Sequence, residues 1–243
     1  MRGLALLIAT LLAPATQAAE CQAARFDGAG FTWCVVDLEA EQMRLWLHDD
    51  AGTPFGSFDR LDQHLSQSGA RLGIAMNAGM YHPDRAPVGL YVEQSKTLAP
   101  IVTRAGPGNF GMLPNGVLCL RDGGAAVMDS RAHAGTLDCR FATQSGPLLV
   151  IDGALHPRFL ADSDSRHIRN GVGVRANGRE VVLGISDEPV NFHHFARFFR
   201  DLAGTANALY LDGKVSKLYV PGLDRHDLGL PMGPIIGTVK PAG

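Results

Sequence analysis

Two carboxylates stand where apolar runs stop. Ala208–Leu211 is closed by Asp212-Gly213, and Val181–Ile185 is closed by Ser186-Asp187-Glu188 ahead of Pro189. Short apolar runs bounded by turn residues read as buried strands, so each delivers an acid to the rim of a sheet. Between them Asn191 reads as the cap of a helix. Its Phe195, Phe198, Phe199 and Leu202 share one face, and Gly204 is its stop. A strand–helix–strand crossover makes its two strands parallel and puts their C-terminal ends on one edge, where open α/β sheets bind ligands. Glu188 and Asp212 are therefore expected to be neighbours. Two carboxylates about 5–9.5 Å apart can divide the roles of acid, base and nucleophile in glycoside cleavage.

Cations lie just ahead of another strand. Arg166, His167 and Arg169 precede Asn170-Gly171 and the run Val172–Val174. A guanidinium forks onto two phosphate oxygens, which an ammonium cannot do. Arg169, held by the strand it enters, is the stronger anion-binding candidate of the two arginines. Asn77-Ala78-Gly79 and Gln144-Ser145-Gly146 place amide and backbone donors at strand ends, groups suited to a sugar hydroxyl or an oxyanion. Ser145 lies outside a G-x-S-x-G frame, and no Ser/His/Asp order stands out, which argues against serine hydrolase chemistry. The nine histidines show no H-E-x-x-H or other ligand spacing, and His193 and His194, adjacent on a helix, point about 100° apart. No catalytic metal is expected. Neither G-x-G-x-x-G nor a P-loop occurs, and no cofactor is expected.

The elements that would position these groups can be read in order. Met1-Arg2, the apolar run Leu4–Ala13 and the small-residue site Thr16-Gln17-Ala18 have the layout of a secretory signal, predicting removal of residues 1–18 and a domain over 19–243. No later segment approaches the length of about 20 apolar residues that spanning requires, so a soluble periplasmic or secreted protein is expected. A formal charge of −2 gives no steering toward nucleic acid. The four cysteines of an exported chain favour disulfides. Cys21 with Cys34 and Cys119 with Cys139 each close a short loop, worth roughly 3 kcal/mol in the chain-entropy account.

Gly30–Leu38 and Gln42–Asp50 alternate about a polar turn and read as a hairpin. Asp59 reads as a helix cap, with Leu61 and Leu65 on one face and Gly69 as the stop, and Arg71–Met76 follows as a strand. Gly171–Ile185 reads as a hairpin through a type I′ turn at Asn177-Gly178. The order hairpin, helix, strand, polar turn then occurs twice and reads as an internal repeat, with Asn77 in the place of Asp212. Turn signals at Pro114-Asn115-Gly116, Asp122-Gly123-Gly124 and Asp152-Gly153 divide a β-rich middle into hairpins, and Ala161–Arg169 reads as a long loop. The expectation is an α+β single domain of mixed sheets, hairpins and two strand–helix–strand units.

Five stretches, in order, resemble the motifs of the phosphodiester glycosidase family. They are MNAGMY (Met76–Tyr81), TQSGPLLVIDG (Thr143–Gly153), IRNGVGV (Ile168–Val174), ISDEPVNF (Ile185–Phe192) and NALYLDGKVSKLY (Asn207–Tyr219). The resemblance runs over roughly Leu72–Pro221 and implies a catalytic domain that cleaves a sugar from a sugar-1-phosphodiester. Asp212 matches the aspartate of the family and Arg169 its arginine, and Asn77, Gly79, Gly213 and Ser216 match as well. Together with the residues read above, the expectation is Asp212 as nucleophile or base with Glu188 as its partner, Arg169 on the phosphate, and Asn77, Gly79, Ser145, Gly146, Arg166, Asn170, Gly213 and Ser216 on the substrate. One departure matters: where the family has two further glycines, Lys214 and Val215 stand here. The competing expectations are a polysaccharide-binding protein of the envelope that kept the fold without the chemistry, and a plain glycosidase.

Overall fold

The computed structural model describes residues 19–132 and 138–242; the signal-like segment 1–18 lies outside them. Seven strands form one sheet in the order β1 (Glu20–Phe26), β2 (Ala29–Asp37), β13 (Glu180–Ser186), β12 (Asn170–Val174), β14 (Asn207–Tyr210), β10 (Leu148–Ile151) and β11 (Ala154–Leu155). A second sheet runs β16 (Arg225–His226), β15 (Leu218–Val220), β4 (Ala70–Asn77), β17 (Ile235–Pro241), β3 (Met43–Trp46). The third runs β6 (Lys96–Ala99), β5 (Tyr91–Glu93), β9 (Phe141–Ser145), β7 (Gly116–Arg121), β8 (Gly124–Asp129).

The fold is α+β. Leu45, Met76, Leu118, Leu148, Leu183 and Leu209, drawn from all three sheets, share one buried cluster. Two helices cover outer faces. Helix α1 (Phe58–Ser66) lays Phe58, Leu61 and Leu65 on the second sheet. Helix α2 (Phe192–Arg197) continues into a π-turn (Phe198–Leu202) and lays Phe195, Phe198 and Phe199 on the first. The glycines of β12 and β13 are what this contact requires. A Cβ on Gly171 would stand 3.0 Å from the Phe199 ring and one on Gly184 2.7 Å from Phe198, so the rings rest directly on strand backbone.

Several expectations need correction. Every pairing among the described strands is antiparallel, so the sheets are not mixed. The first expected hairpin is not one: β2 pairs with β1 and β13 while β3 pairs with β17, so the chain changes sheets at the turn between them. Alternation alone cannot say which partner a strand takes. Helix α1 is capped by Ser57, not Asp59, with Ser57 Oγ accepting from Arg60 N at 3.3 Å. Asn177-Gly178 is no two-residue I′ turn; only Gly178 has positive φ, inside a loop closed by Arg175 N donating to Glu180 O. Leu202 is 38% exposed, because the π-turn, with Ala203 N donating to Phe198 O, rotates it off the buried face.

Both strand–helix–strand units are present, built with the same device. The strands β13 and β14 are parallel but do not touch; antiparallel β12 lies between them. Likewise β17 lies between β3 and β4. The expected repeat is thus limited to helix, strand, turn and an inserted strand, without the first hairpin. The disulfides Cys21–Cys34 and Cys119–Cys139 are both formed, as expected from loop length.

Candidate active site

Asp212 follows the last residues of β14. Along this strand Leu209 and Leu211 enter the shared core, whereas Ala208 and Tyr210 face α2. The period of two carries Asp212 onto the Tyr210 side of the rim.

The turn after Leu211 is braced from three strands. Asn170, fully buried, donates from Nδ2 to the backbone O and the Oδ1 of Asn77, both at 3.0 Å, and accepts from Asp212 N at 3.0 Å. Asn77 Oδ1 also accepts from Lys217 N at 2.8 Å. The turns after Met76 and Leu211 are therefore tied together through one side chain. Ser145 Oγ donates to Leu211 O at 2.7 Å, and Ser216 Oγ lies 2.8 Å from Asp212 O and 3.1 Å from Ile168 O. Buried polar groups are held where their partners are. Asn77, Asn170, Ser145 and Ser216, assigned to substrate by the sequence, thus fix the backbone on either side of Asp212. Gly79 and Gly146 permit close approach: a Cβ on Gly79 would strike the Gln144 carbonyl, and one on Gly146 would stand 2.6 Å from Asn115 Cβ.

Two clefts meet at Asp212. One, of about 500 Å³, is lined by Met80, Tyr81, His82, Arg85, Asp212 and Lys214, together with Leu230 and Pro231. The other, of about 510 Å³, is lined by Met80, Asn109, His167, Tyr210, Asp212, Gly213 and Lys214. Burial raises the Asp212 carboxyl above the ordinary aspartate value, against the opposing backbone N–H groups of Lys214, Gly213 and Val215. Lys214 N donates to Asp212 Oδ1 at 2.9 Å. The tyrosines on either side feel the carboxylate: burial first, and then the charge of Asp212, raises Tyr81, while burial pushes Tyr210 up to about 12, with Arg169 opposing and Asp212 adding to it.

Arg169 lies behind Tyr210. It is fully buried, its Nε donating to Val190 O at 2.8 Å and its Nη2 to Ser165 O at 2.9 Å. Its Cζ stands 3.7 Å from the Phe192 ring centroid and 5.4 Å from that of Tyr210. No carboxylate pairs with it among the described residues, and burial lowers its pKa from the ordinary guanidinium value. Arg169 Nη1 and Tyr210 Oη are buried there without a well-formed hydrogen bond, and the guanidinium and the phenol interact with each other. Arg85 and Lys214, which line the cleft in front, also lack an acidic partner within ion-pair distance among the described residues. Arg85 is held at φ +74° over the Tyr81 ring, 5.3 Å from its centroid. Arg166 is exposed and lines neither cleft.

Glu188 does not join Asp212. Its carboxylate accepts from Gly30 N at 3.0 Å and pairs with Arg25 at 3.2 Å, and these two partners hold its pKa down. Gly30 is on β2, separated from β14 by β13 and β12, about 14 Å at the usual strand spacing. Strands β13 and β14 are parallel, as expected, but β12 is inserted between them. Tyr81, Tyr210 and Arg85 were not among the expected site residues. The signal for Tyr210 was available, two residues before Asp212 on the same strand face.

Gly213 is the tightest point of the site. A Cβ there would land on Tyr210 Oη. Gly213→Ala is expected to lower kcat/KM about 10²-fold, the effect of a displacement near 1 Å at the reacting groups. Circular dichroism should be unchanged; full activity would mean that the turn tolerates the shift.

Asp212 is thus a half-buried carboxylate at the junction of two clefts, on a rim braced by buried amides. The chain belongs to the phosphodiester glycosidase family, whose model matches residues 70–229. It is 31% identical over 187 residues to the protein YigE of Escherichia coli (strain K12), covering 77% of this chain and 73% of that one. Among solved structures it is similar to the catalytic domain of zebrafish N-acetylglucosamine-1-phosphodiester alpha-N-acetylglucosaminidase, auto-inhibited by its pro-peptide. That likeness has a TM-score of 0.60 at 13% identity and covers 90% of this chain and 81% of that one. It is also similar to a hypothetical protein from Synechocystis (TM-score 0.58, 15% identity, 91% of this chain), of which it spans only 61%. At such identities the structural likeness shows the fold alone.

Proposed function

We propose that the protein hydrolyses a glycosyl phosphodiester of the cell envelope. Water attacks the anomeric carbon, directly or after a glycosyl–Asp212 intermediate; the bond from that carbon to the phosphate oxygen breaks, and the phosphate leaves on the other product. The observation that carries this reading is the position of Asp212 where the two clefts meet, with the unpaired cations Arg85 and Lys214 in front. A phosphodiester is an acidic leaving group that needs little protonation. One carboxylate with cations to hold the phosphate is then sufficient, and the position of Glu188 is no obstacle. The buried guanidinium of Arg169 behind the cleft supports the same reading, since a cation with no carboxylate partner among the described residues favours an anion. A periplasmic or secreted location fits the two disulfides.

The test is a panel of sugar-1-phosphodiesters offered to the purified protein, with Lys214→Gly alongside. Release of free sugar with a phosphomonoester is expected. Lys214→Gly should raise KM about fivefold, the effect of ~1 kcal/mol from one exposed charge, and the difference should shrink with added salt. No release, with sugar-phosphate binding retained, would favour a binding protein that kept the fold. Release from aryl glycosides alone would favour a plain glycosidase.

A further inference from the structure

Far from the cleft, the second oxygen of a carboxylate is left over. Glu41, in the turn between β2 and β3, accepts at Oε1 from the backbone nitrogen of Ala19 at 3.0 Å. Its Oε2 is buried and has no partner among the described residues. A single amide N–H can satisfy only one of the two oxygens, and a buried acceptor left unpaired is destabilising. The position of Ala19 is fixed independently. Its methyl packs against the main core cluster, Glu20 begins β1 opposite Val35, and Cys21–Cys34 clamps the next pair of that register. Ala19 is also the residue that follows Thr16-Gln17-Ala18, the small-residue site read from the sequence.

We infer that the chain is processed between Ala18 and Ala19 and that the α-ammonium so created docks on Glu41. Hydrolysis by an export peptidase adds water across that amide, leaving a carboxylate on Ala18 and an amine on Ala19, which takes up a proton. In place of one N–H, the mature terminus presents up to three donors and a positive charge to a carboxylate already within hydrogen-bond distance. The unpaired Oε2 thereby gains a partner, and the chain end becomes an ion pair rather than a frayed strand. Other charges near Glu41 have partners of their own or lie further along the surface. Glu39 pairs with Arg179 and Asp122 with Arg140, Arg121 donates to Asp138 O, and Arg44 to Gln42. Lys240 shares only the shallow groove beside Glu41.

The experiment uses the exported full chain and then a double-mutant comparison. Intact mass and amino-terminal sequencing of the protein recovered from the envelope should give Ala19 as the first residue. Four forms are then melted at pH 6: the mature protein, the same with Gly-Ser added ahead of Ala19, and each with Glu41→Gln. The extension should lower Tm by several degrees when Glu41 is present, at about 2–4 °C per kcal/mol for a chain of this size, and by much less when Gln replaces it. In the mature form this difference should fade as pH rises above about 8, where an α-amine loses its proton. A terminus other than Ala19, or effects of the extension and of Glu41→Gln that simply add, would overturn the inference. Neither outcome depends on catalytic activity.

Discussion

Asp212→Asn is expected to lower kcat by about 10²–10⁴-fold on a glycosyl phosphodiester while leaving the protein folded. The amide is isosteric, and its oxygen can still accept from Lys214 N, so the turn should survive. Stability should move the other way. Burial raises the Asp212 pKa in the folded state, so over the range between the ordinary value and the raised one the folded protein holds more proton than the unfolded chain. Stability therefore falls as pH rises through that window, and ionised Asp212 is a net burden at neutral pH. Asn removes that burden, and the variant should melt at or above the wild-type Tm at pH 7, with the advantage shrinking in acid. Turnover within a few-fold of wild type would remove Asp212 from the chemistry. A large fall in Tm would make the loss of activity structural instead.

Arg169→Lys is expected to be harmful in both respects. Arg169 donates to two carbonyls, Val190 O and Ser165 O, from different nitrogens while its flat face rests on Phe192. An ammonium cannot hold that geometry. Losing one charge-assisted bond in a buried place costs about 1.5–3 kcal/mol, which should appear as a drop of several degrees in Tm. Activity should discriminate more finely. If Nη1 and Tyr210 Oη serve the phosphate, kcat/KM for a phosphodiester should fall about 10²-fold, and much less for an aryl glycoside of the same sugar. Equal losses on both substrates would mean that Arg169 merely supports Tyr210.

The parts of this molecule legible in its sequence are those set by local pattern. The α1 and α2 stretches, the strand before Asp212, the Asp122-Gly123 and Asp152-Gly153 hairpins and both disulfides follow from periodicity, caps, turn residues and loop length. What local pattern does not carry is the choice of partner. Nothing in Gly30–Leu38 says that its neighbours are β1 and β13 rather than β3, and nothing in Val181–Leu211 says that β12 lies between the two parallel strands. The error over Glu188 follows directly, because adjacency at a rim was inferred from strand direction alone. In the site, residue type pointed to Asp212. Whether an amide faces a ligand or the backbone of another strand depends on pairings of long sequence separation. For Asn77 and Asn170 those pairings show two expected substrate ligands bracing the turn as well.

The insertion of β17 between β3 and β4 bears on how this chain can be made. The second sheet cannot join β3 to β4 until Ile235–Pro241 has emerged, nearly two hundred residues after β3 was synthesised. Closing so long a loop before its contacts form slows folding. Until then β3 has no strand to pair with, so the closing of this sheet waits on the last element of the chain to arrive.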